Sequence, residues 1–206
     1  VSSTTHSDDL PVTPNCIRAE YTGDPYDGFI AKIGPDRNLA TLTYFGGSDM
    51  DHVFGLCEGP HGEAIVFCGR TWSPDYPVTD NAFMSEYMGE ADGYVTVIDS
   101  TGTEVLFSSY YGLEAWDSVL QVNMDDRGKL ITTGFVHSGG FEMVNAFQSE
   151  YKGASEAIVT IWGEEVELNS YLGGYNSEHI FAQIVSEGNM YIVGQSASPE
   201  FEVSED

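Results

Sequence analysis

Positive charge is what this chain has least of. Three lysines (Lys32, Lys129 and Lys152) and four arginines face 33 Asp and Glu, leaving a formal net charge of −26 on 206 residues. Binding to nucleic acid or an anionic membrane draws on clustered positive charge, so neither is expected as a partner. Charged residues are only 19% of the chain, against roughly 25% in an average domain. The imbalance thus comes as much from missing Lys and Arg as from surplus acid. Long apolar runs are also missing: none approaches the roughly 18 to 20 residues of a membrane span. The opening Val1-Ser-Ser-Thr-Thr-His6 has neither the basic nor the apolar region of a signal peptide. A first residue other than Met points to a processed or trimmed chain, or to one cut from something longer. The three cysteines, Cys16, Cys57 and Cys68, are an odd number without C-x-x-C spacing, which argues against zinc. No G-x-S-x-G, H-E-x-x-H, G-x-x-x-x-G-K-[ST] or G-x-G-x-x-G occurs, so no motif brings catalytic spacing with it.

What is present belongs to a folded chain. Hydrophobic residues at 41%, aromatics at 13% and 23 glycines are enough to build a core, and the Gly- and Tyr-rich profile leans toward β-structure. Internal repeats with a period of about 60 to 66 residues decide the class. Leu10-Pro-Val-Thr13 recurs as Tyr76-Pro-Val-Thr79, more loosely as Phe141-Glu-Met-Val144, and again as Phe201-Glu-Val-Ser204. An acid then opens a β-like run at Asp27-Gly-Phe-Ile30, Asp92-Gly-Tyr-Val95 and Glu156-Ala-Ile-Val159. A second run ends in Tyr44-Phe-Gly-Gly47, Tyr110-Tyr-Gly-Leu113 or Tyr171-Leu-Gly-Gly174, and a third begins at Asp51, Asp117 or Glu178. The fourth closes at Gly69-Arg-Thr71, Gly134-Phe-Val136 or Gly194-Gln-Ser196.

Four alternating strands per repeat, joined by Gly, Asp and Asn turns, predict an all-β protein of four-stranded antiparallel units. Stacked radially, such units are β-propeller blades. Repeat 1 covers about 9–71, repeat 2 about 72–136 and repeat 3 about 137–196, with a fourth starting at 197–206. No segment keeps a helical apolar spacing for three turns; the stretches Pro14 to Tyr21, Asp80 to Tyr87 and Val144 to Tyr151 have room for one helical turn at most. With the strand beginning at Asp51 innermost and the one ending at Tyr44 outermost, the chain divides into an outer half-blade (27–47), two full blades and an inner half-blade (178–196). That makes about three blade-equivalents, fewer than the four to eight of closed propellers. The expected array is part of a larger propeller, a protomer completed by a partner, such as a dimer of six blades, or an open array.

These residues also carry a family resemblance. Tyr76-Pro-Val-Thr79, Asn145-Ala-Phe-Gln148, Asp27-Gly-Phe-Ile-Ala-Lys-Ile33, Pro35-Asp36, Ser170-Tyr-Leu-Gly-Gly174 and Tyr191-Ile-Val-Gly194 resemble, in order, the SBBP-type β-propeller repeat of secreted and surface-exposed bacterial and archaeal proteins. The resemblance spans nearly the whole chain. It implies the propeller fold and an extracellular or cell-surface location, and it brings no catalytic set. Repeat 3 departs from it, lacking the proline of its first segment and the Asp-Gly of its first turn.

Candidate chemistry lies mostly in the acids, whose hard oxygens suit calcium, the one cofactor suggested. The candidate ligands are Asp24 with Asp27, Asp49 with Asp51, and Asp125 with Asp126, although no EF-hand pattern is present. The competing explanation for Asp27, Asp92 and Glu156, and for Asp51, Asp117 and Glu178, is that each accepts backbone hydrogen bonds at a strand start. His52 and His179 share a repeat position, where capping of their own unit competes with metal binding. The cysteines are expected as buried free thiols, with a Cys57–Cys68 bridge across one hairpin as the alternative. Trp72, Trp116 and Trp162 are candidates either for sugar stacking or for packing between blades.

The functional expectation is a non-catalytic extracellular or cell-surface module for protein interaction or assembly, including self-assembly through exposed half-blades. The alternatives are a carbohydrate-active enzyme or sugar-binding propeller, and a subunit of a surface layer or filament. Adaptation to high salt is a further explanation of the acidity.

Overall fold

The acid-led runs are dense in β-branched and aromatic residues, and they form strands. The computed structural model describes residues 1–125 and 127–201, with Pro60 described by its backbone alone. Thirteen strands form four antiparallel sheets, and no α-helix occurs among the described residues. The first sheet orders β1 (Ser2–Thr5), β2 (Asp27–Ile33) and β3 (Leu39–Phe45). The second orders β4 (Asp51–Glu58), β5 (Ala64–Thr71), β6 (Asp92–Asp99) and β7 (Val105–Tyr111). The third orders β8 (Ser118–Met124), β9 (Leu130–Val136), β10 (Glu156–Trp162) and β11 (Val166–Leu172), and the fourth pairs β12 (Glu178–Ser186) with β13 (Asn189–Ser196). Each four-stranded sheet therefore takes two strands from one repeat and two from the next. The three stretches with room for a helical turn contain turns, bends and irregular chain, plus one isolated antiparallel bridge from Val144 to Asn169.

One strand departs from the expected division. β1 pairs with β2 so that Thr5 faces Asp27, the place that Thr71 takes opposite Asp92 and Val136 takes opposite Glu156. The first sheet is thus three-stranded rather than a half unit. Four residues of Ser and Thr carry no apolar alternation to announce a strand; main-chain pairing to β2 makes it one. Ser7 N–H donates to Thr5 Oγ1 at 3.1 Å just as Ser73 N–H donates to Thr71 Oγ1 at 2.9 Å.

The sheets pack face to face in chain order, β1 against β4, β4 against β8 and β8 against β12. Between the first two sheets lie Ile30, Phe45, Val53, Phe67, Tyr94 and Ile98, all buried. Between the second and third lie Val66, Cys68, Val95, Val119, Val122 and Ile158. Each fully buried side chain of this size stabilises by about 1.5–3 kcal/mol, so the sheet faces and not the strand edges hold the array together. On the fourth sheet Phe181, Ile184, Tyr191 and Val193 are more than half exposed.

A bulge in the first strand of each inner pair explains one recurring glycine. Register slips between Val53 and Gly55, between Val119 and Gln121, and between Ile180 and Ala182. The carbonyl before each bulge turns onto the facing strand. A Cβ on Gly69 would lie 1.7 Å from His52 O, one on Gly134 1.8 Å from Ser118 O, and one on Gly194 2.2 Å from His179 O. Only glycine leaves that space empty.

Candidate functional site

The six recurrent acids meet in pairs, each bridging two successive sheets. Asp27 opens β2 and Asp51 opens β4; Asp92 opens β6 and Asp117 directly precedes β8; Glu156 opens β10 and Glu178 opens β12. All six are buried. The first acid of each pair binds the loop before it: Asp27 Oδ2 accepts from Thr22 N–H and Gly23 N–H, Asp92 Oδ2 from Met88 N–H, and Glu156 Oε1 from Lys152 N–H and Gly153 N–H. The second acid binds the turn behind the preceding strand, accepting from Gly47 N–H at 2.7 Å, Leu113 N–H at 2.7 Å or Gly174 N–H at 3.2 Å. These are the backbone hydrogen bonds expected at strand starts. The glycines between the two acids follow from the same packing. A Cβ on Gly46 would sit 2.4 Å from both Asp27 Oδ1 and Asp51 Oδ2, one on Gly112 2.5 Å from Asp92 Oδ1, and one on Gly173 2.5 Å from Glu178 Oε2.

Of the calcium candidates, Asp27 and Asp51 come together, with Asp24 and Asp49 exposed in the two loops beside them. Asp125 lies beyond the far end of β8, about 20 Å along the strand, where its Oδ1 accepts from Arg127 N–H and Lys129 N–H in its own turn. Asp126 lies outside the described residues. Among the described residues no three His, Cys, Asp or Glu side chains converge to hold a metal ion. All three cysteines are free thiols. Cys57 faces Val66 and Cys68 faces Gly55, so register keeps the two sulfurs off opposing positions. Burial pushes the Cys57 thiol up to about 11, and it raises Cys68 further.

A second arrangement crosses all four sheets where β4, β8 and β12 begin. Aromatic and imidazole rings follow one another there. His6 meets Tyr26 at 4.8 Å, Tyr26 meets His52 at 5.8 Å, His52 meets Trp72 at 5.6 Å, and Trp72 meets Trp116 at 6.1 Å. Beyond them Phe135 meets His137 at 5.3 Å and His179 at 5.8 Å. At the middle of this ribbon the Arg70 guanidinium lies 5.3 Å from the centroids of Trp72 and Phe135, 5.7 Å from Trp116 and 5.9 Å from Phe54. Its Nε donates to Ser118 Oγ, and its two terminal nitrogens have no partner among the described residues. Burial, and secondarily the Arg70 charge, hold the His52 imidazole below its usual range.

Trp72 and Trp116 therefore belong to a half-open surface, whereas Trp162 is buried, its Nε1–H donating to Thr132 Oγ1 at 2.8 Å. Arg70 carries no recurring signal, since Phe135 and Gln195 fill its place in the other repeats. Only the scarcity of arginine marked it. Compared with known proteins, the chain matches no family model and no curated protein.

Proposed function

We propose that the chain is a non-catalytic β-propeller module of the extracellular space or cell surface, and that it binds a protein partner through the ribbon centred on Arg70. The ribbon carries the proposal. Trp, Tyr and Arg are the side chains that concentrate binding energy at protein interfaces, and Arg70 offers free donors to a carboxylate from a rigid aromatic seat. Four sheets packed in chain order and the SBBP-like repeat support the propeller and its surface location. Trp72→Ala and Trp116→Ala are each expected to weaken the captured partner by about tenfold or more. Titration of the purified partner against tryptophan fluorescence checks this, and unchanged affinity in both variants removes the ribbon from the interface.

Among the described residues β13 is paired along one edge alone, by β12, which favours a second role in self-assembly. It occupies the place of β5 and β9, each of which pairs with a following strand, and Tyr191 and Val193 are exposed on it. A Val193→Lys variant is expected to sediment as a smaller species than the parent at the same concentration. Identical sedimentation of the two rules out assembly by that edge.

A further inference from the structure

The carboxyl pairs contain oxygens that nothing in the fold satisfies. Asp27 Oδ1, Asp51 Oδ1, Asp92 Oδ1 and Glu156 Oε2 are buried without a hydrogen-bond partner, two in the first pair and one, on the first acid, in each of the other two. In the second and third pairs the other acid is fully engaged. Asp117 accepts from Leu113 N–H and His137 N–H, and Glu178 accepts from Gly174 N–H and from the hydroxyls of Ser196 and Ser198. Among the described residues the single ion pair is Lys129–Glu167, so no cation bonds directly to any of these four.

Two buried carboxylates side by side, without a bonded counter-charge, are costly. A carboxylic acid beside a carboxylate removes the cost, because the acid donates where the carboxylate accepts. From this geometry we infer that Asp92–Asp117 and Glu156–Glu178 each bind one proton on folding, held on Asp92 Oδ1 and Glu156 Oε2, and act as acid-dependent clasps between successive sheets. In Asp27–Asp51 both acids carry an unpartnered oxygen, and that pair is left aside, since its members are also the calcium candidates.

The surroundings fit. Burial, and then the Asp117 charge, raise Asp92 to about 6. Glu156 is raised by burial, with the Glu178 charge adding to it. Asp117 is also raised by burial, and the charges of Arg70 and His137 oppose that rise. The other groups facing the pairs are tyrosines silent below pH 9: burial pushes Tyr87 and Tyr151 up to about 12, and raises Tyr110 and Tyr171 as well. Values raised in the folded state mean stability that is full below about pH 4 and is lost as pH rises through 6 and above.

Urea unfolding at pH 5 and pH 8, at fixed ionic strength, tests the inference. The folding constant is expected to fall by about tenfold or more for the Asp92 pair alone. Asp92→Asn and Glu156→Gln keep the shape and the donor, so the double variant is expected to lose about tenfold or more of this pH dependence, the remainder belonging to Asp51, which burial raises to about 7, and to match or exceed the parent at pH 8. His137→Asn is expected to retain it. A double variant with the parent's pH slope overturns the inference, as does a slope that vanishes in His137→Asn. Calcium that stabilises the parent at pH 8, but not Asp92→Asn, overturns it in favour of a cation. Should the double variant not fold, infrared spectra of Asp51→Asn, which removes the other buried acid raised to about 7, decide: a protonated carboxyl band at pH 5 that shrinks in Asp51→Asn/Asp92→Asn supports the clasps, and an unchanged band refutes them.

Discussion

Gly134→Ala is expected to destabilise the protein by about 3 kcal/mol or more, and to leave little folded chain at 37 °C. The added Cβ would fall 1.8 Å from Ser118 O, a backbone atom fixed by the bulge between Val119 and Gln121. Neither strand can retreat. β9 carries Gly134 between β8 and β10, paired to both, and β8 is pressed against β4 and β12. Gly188→Asn is the control. Nothing lies within 4 Å of a Cβ there, and its φ of +76° is one that Asn tolerates, so its cost is expected to stay below about 1 kcal/mol. Urea denaturation of both variants checks the contrast, and comparable stabilities for the two would refute the steric account of the repeated glycine.

Phe67→Ala is expected to cost about 3–5 kcal/mol, which lowers the thermal midpoint by about 10 °C in a chain of this length. Phe67 is fully buried on β5, edge-on to Phe45 of β3 at 5.0 Å and to Tyr94 of β6 at 6.3 Å. It joins the first sheet to the second, so its truncation opens a cavity at a junction that must hold for the array to stay together. Phe67→Leu keeps most of the volume and is expected to cost less than about 1.5 kcal/mol. Calorimetry of the two variants is the measurement; equal midpoints would place the strength of the junction elsewhere.

Strands that open with an acid and alternate apolar residues were legible from the sequence, and β2, β6 and β10 begin at the acids that announce them. The division of the sheets between repeats was legible as well, because Tyr-x-Gly endings and acid openings mark where one sheet stops and the next starts. β1 was not, since Ser2–Thr5 is short and polar and becomes a strand only through its partner. The pairing of the acids was hidden for a related reason. Glu156 and Glu178 recur as separate signals 22 residues apart, and only face-to-face packing of the sheets brings them to one glycine, Gly173. The ribbon was hidden more deeply. Arg70 and Phe135 fill one repeat position with unlike residues, and Trp72 and Trp116 are one-off substitutions at two others, so periodicity averages them away.

The division of each middle sheet between two successive repeats also bears on how such a chain grows. Because β4 and β5 precede their own outer partners in the chain, duplicating any stretch one period long, wherever it is cut, supplies one whole additional sheet. The segment copied in the gene need not coincide with the object that folds. Lengthening therefore tolerates imprecise breakpoints, and selection acts afterwards on side chains such as Arg70 that give each copy its own surface.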